Sequence, residues 1–237
     1  VIGMSFGIAI LVLGSFFEDT IGYVVSFSFD KSQRNDVRLS FVETLSPGAF
    51  HDIRHLPGVQ AVETFRSVPT RFGHEQREYR VALTGMEANP RLKRVLDSNE
   101  KPLVFPEGSG LAISEKLAEI LEVKPGDIVD VQILDRHQAT YQIPVGRVFP
   151  NFTQPSAYLN RGDLHRLLLE GEQFSGAYLS VDSARMKDLY SEVKNIPSVA
   201  GVLDNRAARR SFDETVSEST DLLRVIYATF SVLIAFG

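Results

Sequence analysis

This sequence of 237 residues contains no cysteine and no tryptophan, and it has no lysine or arginine before Lys31. Without cysteine the chain forms neither disulfide bonds nor thiolate metal sites, so its fold depends on packing alone. The net charge of -5 gives no general reason to expect phosphate-backbone binding, which needs clustered lysine and arginine. We therefore expect no nucleic-acid partner. The chain is long enough to bury the core of one or two domains.

Charge is also missing from both ends of the chain. Residues 1–17 carry no charge before Glu18 and Asp19, and residues 222–237 carry only Arg224. The first run would extend roughly 25 Å as a helix, slightly less than a bilayer's hydrocarbon core. Neither run has the polar stripe of a helix that covers a soluble core. We expect two truncated transmembrane helices, and two buried core helices are the alternative.

A secretory signal peptide fits the first run less well. Such a signal begins with an initiator Met and a basic n-region, whereas this chain begins at Val1. The sequence therefore predicts a water-exposed body between two membrane spans. The positive-inside rule counts charge in short loops and does not orient a body of this length.

The first part of the body reads as strand, helix, strand, strand. Residues 36–44 alternate as a strand, and a short helix with Ser46 at its N-cap follows, ended by Pro57-Gly58. Residues 59–72 and 77–86 have the composition and alternation of two further strands.

A similar order returns near the end of the body. Residues 174–182 read as a strand, residues 183–199 as a helix capped by Ser183, and a last strand follows. Both regions place a Pro-x-Val turn between helix and strand, at Pro57 and at Pro197. The chain is therefore predicted to contain two similar βαβ units.

The residues between these units, 87–173, are predicted to form a β-rich subdomain. Ser114 is the expected N-cap of a helix, and Pro125-Gly126 suits the centre of a type II turn. A strand is expected over residues 128–134, followed by one or two strands and a short helix. The side chains expected to face inward from the first helix are Leu117, Ile120 and Leu121.

The C-terminal segment is predicted to be an amphipathic helix that runs into the second apolar run. No glycine or proline separates Arg210 from Gly237. Such a continuous helix would couple motions of the body and the span, and a passive tether fits the pattern equally well. Its apolar side would carry Phe212, Val216 and Leu223, and its acidic side Asp213, Glu214, Glu218 and Asp221.

Three stretches together resemble the extracytoplasmic domain of FtsX-like ABC transporter permeases of the MacB type. They are LPGVQAVETFRSVPTRF (residues 56–72), LTGM (83–86) and GLAISEKLAEILEVKPGDIVDVQ (110–132), and the resemblance extends over residues 36–237. The family's recurring pattern is matched here by Ile113, Ser114, Leu117, Ala118, Lys124, Pro125, Gly126 and Asp127.

This resemblance implies an α+β fold, a porter-like domain of two βαβ units with an inserted β-rich subdomain, flanked by membrane-spanning or stalk helices. The corresponding division of the chain is residues 1–17, truncated transmembrane helix; 18–35, connector; 36–86, first half of the porter-like subdomain; 87–173, β-rich inserted subdomain; 174–209, second half of the porter-like subdomain; and 210–237, stalk and truncated transmembrane helix.

The resemblance also implies a location and partners. The protein would lie in the inner (plasma) membrane with its main domain periplasmic, and it would work with a cytoplasmic ABC ATPase subunit that binds ATP. Membrane lipid, a lipid or lipoprotein cargo, and a periplasmic protein are the other implied partners.

The sequence contains no catalytic, cofactor or metal site that would indicate an enzyme. His51 and His55 have the i, i+4 spacing of paired metal ligands but no third ligand, and we expect both to be solvated. Gly108–Gly110 lacks the ending of a phosphate-binding loop and suits a turn. The acids Glu115, Glu119 and Glu122 follow one helix face, which is typical of a wetted surface.

Two functional classes remain open. In the first, the domain is part of a transport machine, and direct cargo contact would require an exposed apolar patch or a groove between the two subdomains. In the second, the domain regulates an extracytoplasmic partner such as a cell-wall hydrolase without transport; a polar partner site, with coupled ATPase activity but no transport, would favour this class. A soluble secreted binding protein with a hydrophobic leader is a third alternative.

Overall fold

The computed structural model describes residues 31–211, except 136–137 and 152–153, together with Phe16, Thr20, Gly22, Tyr23, Phe27 and Glu214. The chain packs as two compact units, one of residues 31–204 and one of the terminal segments 1–30 and 205–237. In the terminal unit, residues 205–211 are helical.

The predicted membrane spans and most of the predicted stalk lie outside the described residues. The runs 1–17 and 222–237 lie outside the described residues apart from Phe16, and only three residues of the predicted stalk are described. Within the described part of the chain, no helix combines the length and the hydropathy that crossing a bilayer requires.

Residues 31–204 contain the elements that follow in chain order. They are β1 Val37–Leu45, α1 Ala49–Arg54, β2 Val59–His74, β3 Arg77–Met86, β4 Leu111–Ser114, α2 Glu115–Leu121, β5 Ile128–Ile133, β6 Thr140–Phe149, β7 Ala157–Asn160, α3 Arg161–Leu168, β8 Phe174–Val181, a 3-10 turn Ser183–Arg185, α4 Met186–Val193 and β9 Val199–Asp204.

One lobe of this unit, the α/β lobe, is built from both ends of the unit's chain. Its strands lie in the order β2, β8, β1, β9, with every neighbouring pair antiparallel, and only residues 59–65 of β2 belong to it. Leu189 and Val193 of α4 and Ile53 of α1 pack on the sheet against Leu39 and Leu179. Val37 lies opposite Asp204, so the chain enters and leaves this lobe side by side.

The other lobe, the barrel lobe, is a closed sheet of six strands. Residues 66–74 of β2 pair with β3, and the ring continues through β7, β4, β6 and β5 back to residues 70–73 of β2. Closure leaves these strands without free edges. Alternate side chains fill the interior, where Val129 and Val131 of β5 meet Phe72, Leu83 and Leu111.

The structure divides the chain differently from the prediction, because β2 is long enough to belong to both lobes. The sequence places residues 36–86 in one subdomain, but β2 continues for 16 residues and passes from one lobe into the other. Residues 66–86 pair and pack with the strands of the predicted insert. An alternating sequence pattern predicts a strand and its buried face, but it does not identify the strands with which that strand pairs.

Two of the predicted helix caps are wrong. Helix α1 starts at Ala49 with Gly48 as N-cap and no side-chain cap, while the carbonyl oxygen of Ser46 accepts from the Ala49 N–H at 3.1 Å. Ser183 is not a cap either: Asp182 caps the 3-10 turn, its Oδ1 accepting from the Ala184 N–H at 3.0 Å, and α4 begins after Arg185 without a side-chain cap. The helix expected over residues 183–199 is shorter in the structure: a 3-10 turn precedes it, α4 covers only Met186–Val193, and β9 begins at Val199.

The local signals in the insert are confirmed. Ser114 Oγ accepts from the N–H of Leu117 at 3.3 Å and so caps α2, whose Leu117 and Leu121 are buried. Gly126 has φ +102°, and the Asp127 N–H donates to the Lys124 carbonyl at 3.1 Å. This is the geometry of a type II turn, in which the left-handed third position favours glycine.

Candidate functional site

A cleft between the two lobes is the candidate functional site. Its cavity volume is about 230 Å³, and residues from β2, α1, α3 and β8 contribute to it. Pro47, Phe50 and Phe174 form its apolar walls. Its polar walls are formed by Thr64, Glu87, Arg161, His165, Glu172 and Gln173. Apolar and charged side chains thus meet in the same small space.

Arg161 lies at the start of α3, where it bridges the barrel lobe to the other wall of the cleft. The preceding residue, Asn160, caps the helix by accepting from the N–H groups of Gly162 and Asp163. Arg161 Nη1 donates to Thr64 Oγ1 at 2.8 Å and forms an ion pair with Glu87 at 2.6 Å. The charge of this arginine is therefore largely compensated inside the cleft.

His165 follows one turn later on α3, and a second ion pair lies behind it. Glu170 accepts from Arg66 at two nitrogens, Nε at 2.7 Å and Nη2 at 3.1 Å, and its Oε1 also lies 3.1 Å from His165 Nδ1. A carboxylate paired with arginine can only accept, so Nδ1 is assigned the proton in this contact. The remaining ring nitrogen of a neutral imidazole is then an acceptor.

The acceptor nitrogen of His165 is unsatisfied within the described residues. Its Nε2 is buried without a hydrogen-bond partner there, and the side chain is only 9% exposed. A buried polar atom without a partner costs about 1–3 kcal/mol. His165 is one of the residues that line the cleft, so a group that reaches Nε2 from the cleft and donates to it would recover this energy.

The cleft is equipped for binding. Around His165 the described lining offers carboxylates, a guanidinium, an amide and a threonine hydroxyl that Arg161 already engages. Among the described residues, no cluster of three or more His, Asp or Glu side chains could hold a metal ion. The arrangement can recognise a polar group by hydrogen bonds and charge.

A second concave surface lies on the helix side of the α/β lobe. This groove has a volume of about 650 Å³ and runs between α1, β1 and the segment that leads into β9. Its lining is mostly apolar, with Phe41, Ile53, Leu56 and Ile196 among the contributors. The larger apolar groove is thus within one lobe, whereas the cleft between the lobes is small and mixed in character.

The histidines singled out by spacing are both exposed, as expected. His55 Nδ1 lies 2.6 Å from the carbonyl oxygen of His51, a contact along the end of α1. Gly108 and Gly110 have positive φ in a turn. Glu115 and Glu119 of α2 and Glu122 directly after it are exposed, so these expectations are also confirmed.

Sequence reasoning did not find the residues of the cleft. Arg66 and Glu170 are 104 residues apart, and Arg161 and Thr64 are 97 apart. One local signal was available: Arg66 interrupts the apolar pattern of a strand next to Phe65 and Val68. A charged residue in a buried strand position implies a buried partner, but not its identity.

The solved structures to which this chain is similar include three domains, each at low sequence identity. The extracellular domain of the noncanonic ABC-type transporter YknZ from Gram-positive bacteria has 14% identity and TM-score 0.46, over 70% of this chain and 100% of that one. The periplasmic region of MacB from Actinobacillus actinomycetemcomitans has 9% identity and TM-score 0.43, over 78% and 95%. A domain of a permease protein from Porphyromonas gingivalis, whose function is inferred, has 13% identity and TM-score 0.40, over 68% and 82%.

No protein-family model and no curated protein matches this chain.

Proposed function

We propose that residues 31–204 are the extracytoplasmic domain of a permease subunit of an ABC-type transporter. One observation carries the proposal: β1 and β9 are neighbours, with Val37 opposite Asp204, so the chain enters and leaves the folded body at one point. A body with adjacent ends can be inserted between two neighbouring membrane helices without distortion. The sequence resemblance and the apolar runs that flank the body support the same arrangement.

In this role the domain couples ATP hydrolysis by a separate cytoplasmic ABC ATPase to the export or extraction of a lipid, lipoprotein or peptide. The subunit would lie in the inner membrane, with membrane lipid around its spans and residues 31–204 on the periplasmic side. We assign it no catalytic step and no cofactor of its own. Two βαβ units would form its porter-like half, and the stalk would transmit the motion.

A second candidate is a membrane regulator that transmits force to an extracytoplasmic protein without transport. The mixed lining of the cleft between the lobes favours it, because Glu87, Arg161 and Glu172 suit a protein surface better than a lipid chain. The two candidates share the permease architecture and differ in what contacts the external domain.

The proposed location is tested by labelling in intact cells. The chain has no cysteine, so Leu169→Cys, at a side chain that is 91% exposed, introduces a single thiol. We expect a membrane-impermeant maleimide to label this thiol in cells whose outer envelope has been permeabilised and whose inner membrane is intact. Labelling only after the inner membrane is broken would overturn the proposal.

Coupling is tested by replacing residues 210–221 with a flexible Gly-Ser linker of equal length. A helix transmits displacement and a flexible linker does not, so we expect ATP hydrolysis to continue while transport or partner activation is lost. The matched control replaces the same residues with an alanine-rich helical sequence and should retain function. Unchanged function with the flexible linker would reject coupling through the stalk.

A further inference from the structure

The size of the cleft between the lobes limits what it can hold. Sites for whole small molecules typically enclose about 300–1,000 Å³. The volume of about 230 Å³ lies below that range, while the apolar walls and polar groups meet within it. The cleft therefore suits a single side chain presented by a larger molecule rather than an entire metabolite.

The polar groups of the cleft select a hydrogen-bond donor. His165 Nδ1 is committed to Glu170, which leaves Nε2 as an acceptor without a partner among the described residues. Glu172 adds a carboxylate that forms no ion pair within the described part of the chain. Both groups favour an N–H donor.

The charge of the cleft selects a cation. Arg66 is neutralised by Glu170 and Arg161 by Glu87, at 2.7 Å and 2.6 Å. Among the described residues of the lining, Glu172 is then the charge without an opposite partner. The rings of Phe50 and Phe174 can contact the methylene stem or the flat face of a cationic group.

We propose that the cleft binds the side chain of an arginine or lysine on a protein partner, with His165 Nε2 and Glu172 as acceptors. The proposal specifies the side chain that the partner or peptide cargo presents. It rests on the proposed function in one respect: it takes that molecule to be extracytoplasmic. Binding of the basic group itself depends on residues 31–204 alone, so its test is separate from the test of location.

The experiment follows the imidazole ¹⁵N signals of the full chain in detergent micelles. The probe is N-acetyl-arginine methylamide, and the neutral comparison is N-acetyl-citrulline methylamide, which has nearly the same shape. The chain has five histidines, and His165→Asn identifies the signal of interest. We expect the arginine probe to shift the Nε2 signal of His165 at millimolar concentration and to bind about tenfold more tightly than the citrulline probe.

Glu172→Gln is the decisive variant because the Glu172 side chain is exposed, so we expect the fold to tolerate the change. We expect it to weaken binding of the arginine probe by about tenfold. The matched control is Glu119→Gln, an exposed glutamate on α2 outside the cleft, which should leave binding unchanged.

Three results would overturn the proposal. They are equal binding of the two probes, equal weakening by the two glutamate variants, and no shift of the His165 signal at about 50 mM probe. In the last case the nitrogen is satisfied by water only, and the cleft is not a site for a basic side chain.

Discussion

Cationic side chains within residues 31–204 are stabilised in different ways. Arg66 has a carboxylate partner, whereas Arg38 lies over the ring of Phe65, 4.8 Å from its centroid, and its Nε has no hydrogen-bond partner among the described residues. The pKa of Lys93 is lowered to about 8, mainly by burial and further by the charge of Arg38. Burial also raises the pKa of Tyr178 above its ordinary value. Burial, and to a smaller extent the charge of Arg38, therefore opposes protonation of Lys93.

This pKa shift makes stability depend on pH. The ordinary pKa of lysine is 10.5, so between about pH 8 and 10.5 the unfolded chain holds a proton that the folded chain has lost. The unfolding free energy therefore rises with pH in that window, and below pH 8 the folded protein carries the full penalty of the charged amine.

Lys93→Met should remove that penalty. We expect the variant to be more stable than the wild type at pH 7 by roughly 1 kcal/mol, after allowance for screening at a half-buried site. The difference should shrink as the pH is raised towards 10.5. Urea denaturation at a series of pH values measures it.

Lys101→Met, at an exposed lysine of the same segment, controls for the loss of a surface cation. A Lys93 variant that is less stable than the wild type at pH 7 would contradict the assignment, because the hydrogen bond from Nζ to Ser32 Oγ would then outweigh the burial of charge.

At the scale of elements, the pairing of β2 with β8 depends on one glycine. Phe65 lies opposite Gly176, and its ring stacks on Tyr178 with centroids 4.5 Å apart. A Cβ at position 176 would overlap the Phe65 ring and lie 2.6 Å from the carbonyl oxygen of Leu39. The absence of a side chain there creates the space into which the ring packs.

Gly176→Ala should therefore destabilise the α/β lobe. We expect a loss of about 2–3 kcal/mol in the unfolding free energy, because the backbone oxygen of β1 cannot move without breaking its ladder. Gly201→Ala is the matched control on β9, where an added Cβ meets nothing within 4 Å, and it should change stability by less than about 0.5 kcal/mol. Equal effects of the two substitutions in urea denaturation would refute the packing argument.

Elements whose signals are local could be predicted from the sequence. The Ser114 cap and the Pro125-Gly126 turn each depend on residues within a few positions of one another. The cap of α1 could not be read in this way, because Gly48 has no side chain to signal its role. The pattern of β2 predicted a strand, but its partition between two sheets depends on strands more than 50 residues away.

The candidate site was beyond the reach of sequence patterns for a related reason. Its residues belong to α1, β2, α3, β8 and the segments beside them, and they meet only because the barrel lobe is inserted within the α/β lobe. Hydrophobic periodicity gives the face of each element but not which faces meet. The sequence led us to expect a groove between the subdomains. It did not predict that the lining would be partly apolar and partly charged, because that depends on tertiary packing.

For residues 31–204 as a whole, β2 makes the two lobes dependent on each other. Its residues 59–65 form a strand of the α/β lobe, and residues 66–74 form a strand of the barrel lobe. The Arg66–Glu170 and Arg161–Thr64 contacts lie where the strand passes between them. Unfolding either sheet removes one end of a continuous strand, so the two lobes are expected to unfold in one transition.

Cavity variants in each lobe test this cooperativity. Leu117 in the barrel lobe and Leu189 in the α/β lobe are fully buried, so truncating either to alanine should cost about 2–5 kcal/mol. If the lobes unfold together, Leu117→Ala will speed hydrogen exchange of the slowest amides equally in both lobes, in β1 and β8 as well as in β5 and β6. Leu189→Ala will likewise speed exchange in the barrel lobe as much as in its own lobe. Faster exchange confined to the lobe that carries the substitution would mean that β2 does not couple them, and force applied through one lobe would then not reach the cleft beside the other.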